Sequence, residues 1–293
     1  MSILDRSHYE DYPYPPSRTF RTPLRRLRHP SWPNVSSWRE WFPSDEQVTR
    51  KRVLVVGCGT EEAVLVAAQE PMLDVIGIDH SLASVESARG MAEREKIRNV
   101  KLMHAPLCIY AMRQTPPFDV VLCHGVLHHI AAADSALEEM REMSKLGAAL
   151  SVMVYGSVSR GFIPAFCSML RLLGLGPNAD GVGAVRDLMC VLSKGHPARE
   201  FFDATDRSDA QIADLWLHPY FRQYRASELV SLVERHGFRF QRWTTPDAVS
   251  IALLEQVGGF SDVLAAMTPM QRADVGQVLN QADSQLGAMF EAV

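Results

Sequence analysis

Residues 52–81 read RVLVVGCGTEEAVLVAAQEPMLDVIGIDHS, and they decide the architecture. Val53, Leu54, Val55 and Val56 form a short unbroken apolar run, the texture of a strand buried on both faces. The run stops at Gly57-Cys58-Gly59-Thr60, and residues 61–70 follow as a helix. LDVIGID, residues 73–79, is a second strand, and residues 81–97 a second helix. Working outward, residues 99–105, 118–124 and 149–155 read as further strands, with a helix over 135–145 before the last of them. Strand alternating with helix predicts an α/β fold with a doubly wound, mostly parallel sheet and helices on both faces.

On either side of this core, residues 51–157, the texture changes. Residues 1–50 hold YPYPP, then SRTFRTPLRRLRHPSWP, then SSWREWFP. Repeated prolines forbid long helices and central strands there, so the segment reads as an irregular arm, with residues 24–28 as one helical turn. Its Arg18, Arg21, Arg25, Arg26 and Arg28 make a basic cluster without an acid, read as a solvated face or as a clamp for an anion. Tyr12, Tyr14, Trp38 and Trp41 want burial, and an arm that closes as a lid over a ligand is one way to provide it. Residues 158–224 are too long for a plain loop in a compact domain. Helical patterns over 163–173 and 182–192 make them a helical insertion, a lid or a substrate wall. The core resumes over 225–258 with a helix, 226–236, a strand, 238–244, and a last strand over 249–254. Residues 259–293 read as a helical C-terminal extension, its second helix spanning 268–289.

The 293 residues are 47% hydrophobic and 22% charged, with a formal net charge of −4, a balance that excludes disorder and gives no broad electrostatic case for nucleic acid. Cys58, Cys108, Cys123, Cys167 and Cys190 are odd in number and widely spaced, which argues against a disulfide frame and a zinc ribbon and for a reducing compartment. The first residues lack the basic start and apolar run of a signal peptide, and no apolar stretch approaches the roughly 20 residues of a membrane helix. The expectation is a cytoplasmic protein with a small-molecule partner and no membrane association; oligomeric state is not read from these features.

In open parallel sheets ligands bind beyond the carboxyl ends of the strands. Gly57 to Thr60 follow the first strand, where glycines permit a tight turn and close approach to the backbone. Asp79 ends the second strand, where a carboxylate can accept hydrogen bonds from both hydroxyls of a ribose. It has a second reading as an acid at the start of the next helix. Glu61 and Glu62 stand where a pyrophosphate would need small residues, and two carboxylates there repel phosphate. A ribose site without a phosphate site disfavours NAD and ATP and fits S-adenosyl-L-methionine.

With these features in hand, the sequence resembles the class I S-adenosylmethionine-dependent methyltransferases. VLVVGCGT matches the first family motif, DVIGIDHS the ribose motif, NVKLMHAPL the third-strand motif and FDVVLCHGVLHHI the fourth-strand motif, together spanning residues 52–156. Within the family it is similar to a bacterial subgroup with GVLHH after the fourth strand, VYG and an Arg after the fifth (Tyr155, Gly156, Arg160), a helical insertion, and a later segment like WLHPYFRQY, residues 216–224. The resemblance implies a Rossmann-like sheet and a methyltransferase that turns S-adenosylmethionine into S-adenosyl-L-homocysteine by in-line transfer to a small acceptor in an enclosed pocket. It implies that Gly57, Cys58, Gly59 and Thr60 line the methionine and ribose, Asp79 the ribose hydroxyls and His80 the adenine. Ala105, Pro106 and Leu107 would meet adenine through backbone and apolar contacts, and His124 and Gly125 would border the methyl group. Pro106 stands where the family often has an adenine-binding acid, and Glu61 where glycine is usual. Those departures keep open a catalytically inactive, cofactor-binding partner or regulatory protein.

Among His124, His128 and His129 one is a candidate general base, with His124 and His128 preferred and a packed or hydrogen-bonded imidazole at the cofactor edge as the alternative; Tyr155, which ends the fifth strand, is a catalytic candidate through substrate contact or else a core residue. His124 and His128 also share a metal-ligand spacing, but no carboxylate or thiol pattern completes a site, so no metal is expected. A hydroxyl acceptor needs a base, whereas a neutral amine attacks before losing its proton, so O-, N- and C-methylation stay open.

Overall fold

The computed structural model describes residues 9–16, 20, 22–27, 51–111, 116–158, 160–205, 207–280 and 285–293. Arg18, Arg21, Arg28, Trp38 and Trp41, named above, lie outside the described residues.

Five strands run parallel: β1 (Arg52–Val56), β2 (Asp74–Asp79), β3 (Val100–His104), β4 (Phe118–His124) and β5 (Ser144–Tyr155). They alternate with the helices α1 (Glu62–Gln69), α2 (Leu82–Arg94), α3 (Leu107–Ala111) and α4 (Ala133–Glu142). Every residue of β4 is buried, as are Val53 to Val56 of β1, which is why these strands read as continuous apolar runs rather than alternating ones. With β6 (Phe238–Trp243) and β7 (Gln285–Ala292) the sheet has seven strands in the order β3-β2-β1-β4-β5-β7-β6. Apolar clusters fill both faces, one under α4 and α9 (Ala226–Glu234), the other under α1 and α2.

Three expectations about the later chain are corrected. The last strand is not residues 249–254: Pro246–Val249 form a 3-10 turn and Ala252–Glu255 a short helix, α10. Pro246 opens that turn with a fixed φ and no N–H to give a ladder. Residues 268–289 are not one helix either. After α11 (Ser261–Ala266), α12 (Pro269–Leu279) ends at Asn280, and β7 inserts antiparallel between β5 and β6, pairing Val152 with Ala288 and Phe240 with Phe290. QLGAMFEA is built largely of helix formers, but its pairing and burial between two strands override that preference. The expected helix over 135–145 is shifted: α4 ends at Glu142, and β5 starts at Ser144 opposite Phe118, with a register shift between Phe118 and Val120.

The insertion carries more structure than the two helices expected. α5 (Ile163–Leu172), α6 (Ala179–Val191), α7 (Pro197–Ala204) and α8 (Asp209–Trp216) pack round Trp216, which is 1% exposed, and form an apolar cluster of their own that touches the sheet through Tyr155. Among the described residues no helix is long and apolar enough to cross a membrane. All five cysteines are free thiols.

Candidate functional site

The chain order along the sheet reverses between β1 and β4, and a crevice at such a reversal, beyond the carboxyl ends of the strands, is where open α/β sheets take ligands. A cavity of about 920 Å³, counting its open mouth, lies there. Its floor is the turn after β1. Gly57 and Gly59 both have positive φ, +62° and +54°, a conformation that suits glycine. A side chain at Gly57 would run into Val126, and a Cβ at Gly59 would stand 2.5 Å from the carbonyl oxygen of Tyr14.

Asp79, 8% exposed, organises this turn. Gly59 N–H donates to its Oδ2 and Ser81 N–H to its Oδ1, each at 2.9 Å. A carboxylate has about four lone-pair sites, so two remain for donors that enter the cavity. Ser81 itself caps α2, its hydroxyl accepting from Ser84 N–H at 3.1 Å. Asp79 thus steadies the helix start and also lines the cavity.

The opposite wall comes from far along the chain. Residues 9–16 cross the cavity as a strap. Glu10 accepts from the free N–H groups of Leu82 and Ala83 at 2.6 and 3.1 Å, and Ser81 donates to the carbonyl of Tyr9 at 2.9 Å. Thr60 ties down the other end, its hydroxyl donating to the carbonyl of Pro15 at 2.6 Å and its N–H to that of Tyr14 at 3.2 Å. From the strap, Tyr9 donates to Asp214 Oδ1 at 2.7 Å and Tyr14 to Gln211 Oε1 at 2.8 Å, both acceptors on α8. Burial first, then the Asp214 carboxylate, raises both phenols well above their ordinary range. Asp214 is 3% exposed and lines the cavity with His218 and with His129 from the turn after β4. The acidic side chains on the wall are Asp79 and Asp214, and among the described lining residues there is no Lys or Arg.

These walls surround a segment that known proteins share. Residues 48–171 match the family model of a methyltransferase domain. The chain is 26% identical over 256 residues to an uncharacterized protein of Synechococcus, covering 82% of this chain and 59% of that one. Over 97 residues, 33% of this chain and 40% of the relative, it is 31% identical to a ubiquinone biosynthesis O-methyltransferase of Acinetobacter baylyi. The chain thus spans less than two thirds of these relatives' lengths. Among solved structures, PKMT2 from Rickettsia typhi in complex with AdoHcy superposes with a TM-score of 0.69 at 15% identity, covering 95% of this chain and 54% of that one, a likeness of fold.

Within and around the matched segment the sequence candidates separate. Gly57, Gly59, Asp79, His80, Ala105, Pro106, Leu107, His124 and Gly125 are brought together on the cavity wall. Cys58 and Thr60 are not on it. Cys58 turns beneath the turn against Gly77, where burial and then Asp79 push its thiol well up, and Thr60 is taken by the strap. His124 reaches the wall with both ring nitrogens engaged, Nδ1 2.6 Å from Glu62 Oε1 and Nε2 2.9 Å from Ser151 Oγ. Glu62 thus faces a histidine rather than a phosphate. His128 and Tyr155 stand behind the wall. His128 is fully buried with its ring 4.0 Å from that of Tyr155, and burial, His129 and Arg160 hold it well below the usual histidine range. Tyr155 lies 3.7 Å under the Arg160 guanidinium, its phenol pushed up to about 12 chiefly by burial.

Sequence reasoning missed Tyr9 and Asp214, which sit 205 positions apart and meet only through the strap and the insertion. It named His129 beside His124 and His128 without singling it out, though the histidine pair in GVLHH was the visible signal.

Proposed function

We propose that this chain carries an S-adenosylmethionine-dependent methyltransferase that acts on a small-molecule acceptor. The observation that carries the reading is the cavity's acidic lining: two buried acidic residues, Asp79 and Asp214, no Lys or Arg on the described wall, and a glycine turn along its floor. Such a wall favours a cationic nucleoside and repels a pyrophosphate. The methyltransferase-domain match and the fold likeness to PKMT2 with AdoHcy support the same reading.

The residues present fit the group. The two spare acceptor sites on Asp79 would take the ribose hydroxyls, the backbone at Gly57 and Gly59 would lie against the methionine side, and Ala105, Pro106 and Leu107 would give the base an apolar slot beside His80. Bound S-adenosylmethionine would supply a methyl group on a sulfonium, already activated for displacement. The protein's part is to align the acceptor and exclude water, an orientation effect of several kcal/mol. The strap, α8 and the turn after β4 would do both, because they roof the cavity over the ends of β1 and β4.

The test is incubation with methyl-labelled S-adenosylmethionine and a cell extract split into small-molecule and macromolecular fractions. Label is expected in the small-molecule fraction. Label confined to macromolecules would overturn the small acceptor, and no transfer to either fraction would turn the reading toward a cofactor-binding partner.

A further inference from the structure

Resting on the methyltransferase reading, we propose that His129 is the general base of this site, with Asp214 as its positioning and charge-balancing partner. The acceptor is then one whose nucleophilic atom arrives carrying a proton, a hydroxyl or an ammonium.

His129 Nδ1 lies 3.0 Å from the carbonyl oxygen of Tyr220, and a carbonyl only accepts, so Nδ1 carries the proton. In the neutral ring Nε2 is then a bare lone pair. That atom is buried, has no hydrogen-bond partner among the described residues, and belongs to a side chain that lines the cavity at 6% exposure. A buried acceptor left without a partner is costly unless a donor reaches it, and the cavity that His129 lines is where such a donor would come from.

The surroundings suit an imidazolium that forms during reaction. Asp214 Oδ1 lies 3.7 Å from Nε2, and Tyr9 fixes that carboxylate with its 2.7 Å hydrogen bond. The ring is clamped between His218 at 3.9 Å and His128 at 4.2 Å, with Tyr155 and Phe221 at 6.2 and 5.8 Å. Of these neighbours Asp214 is the one carboxylate, so the charge gained at Nε2 meets its opposite at once. His124 has neither feature, since Glu62 and Ser151 occupy its nitrogens, and His128 is not on the wall. In the balanced step, the acceptor's proton moves to Nε2 and its freed lone pair forms the bond to the methyl carbon. The carbon–sulfur bond breaks with its electron pair going to sulfur, and the proton later leaves Nε2 for water.

The test uses the full chain labelled with 15N-histidine, saturated with S-adenosylhomocysteine, in long-range 1H–15N correlation spectra at neutral pH. His129 is assigned by the resonances lost in His129→Gln, or in His129→Phe should the first fail to fold. Phenol and methylammonium serve as probes for the hydroxyl and ammonium sources. The expected result is a protonated Nδ1, a bare Nε2, and an Nε2 resonance moved by one or both probes. Asp214→Asn, or Tyr9→Phe if the former fails to fold, should weaken that response about tenfold, the loss of one charge-assisted interaction. An Nε2 that already carries a proton, a resonance that neither probe moves, or a response unchanged in the variants overturns the proposal. Failure of S-adenosylhomocysteine to bind the wild-type chain instead counts against the methyltransferase reading, and the tautomer of the free protein then still judges His129.

Discussion

On the proposed reading, replacing Asp79 by Ala removes a carboxylate with two duties, one internal to the turn and one toward the cofactor. The first is internal: Gly59 N–H and Ser81 N–H each lose a charged acceptor at 2.9 Å in a pocket where Asp79 is 8% exposed. Hydrogen bonds to charged groups contribute about 1.5–3 kcal/mol each. Cavity water can refill the Gly59 side, so the lower end applies, and the variant should lose about 3 kcal/mol of stability from the pair. The second duty is toward the ligand. Two ribose hydroxyls on the remaining lone pairs, at about 1.5 kcal/mol each, make about 3 kcal/mol, or roughly a hundredfold in affinity. Calorimetric titration with S-adenosylhomocysteine reads the second loss and urea unfolding the first. Asp79→Asn should fall between the two proteins, because its amide oxygen keeps one acceptor while its NH2 opposes an N–H. A folded Asp79→Ala protein that binds within about threefold of wild type would refute the assignment, since that is well under the value of one such bond.

Further outcomes follow from other parts of the site. Gly57→Ala forces a side chain to φ +62° and into Val126, so it should cost at least about 1 kcal/mol in urea unfolding and weaken cofactor binding as well. Glu10→Ala uncaps α2 at Leu82 and Ala83, with an expected loss of about 1 kcal/mol and faster S-adenosylhomocysteine release in stopped-flow as the strap loosens. His128 sets a pH dependence: its folded-state pKa is held well below the unfolded value of about 6.5. Below that pH the unfolded chain binds a proton that the folded chain refuses, so stability falls as pH drops, by up to about 1.4 kcal/mol per unit. Urea unfolding at neutral and mildly acid pH should show that slope in wild type and a shallower one in His128→Leu.

How far the sequence could be read follows from the range of each contact. The turn from Gly57 to Asp79 was legible because backbone freedom and a strand-ending carboxylate are local properties, and the structure sets them side by side with a hydrogen bond between Gly59 and Asp79. Strands β1 and β4 were legible because burial on both faces leaves an almost unbroken apolar run. β7 was not, because its residues favour helix and only its two neighbouring strands make it a strand. His124 could be placed at the end of β4, but not its capture by Glu62 and Ser151, which come from α1 and β5. Likewise the order of the histidines in GVLHH does not say which one faces the cavity. That is decided by the carbonyl of Tyr220 and the carboxylate of Asp214, both about ninety positions downstream.

The central claim is that the cavity accepts a cationic nucleoside and excludes a dinucleotide. Its most direct test is calorimetric titration of the wild-type chain with S-adenosylmethionine, S-adenosylhomocysteine and NAD side by side. The account predicts saturable one-site binding of the first two and none of NAD. Binding of NAD, or of none of the three, would contradict it.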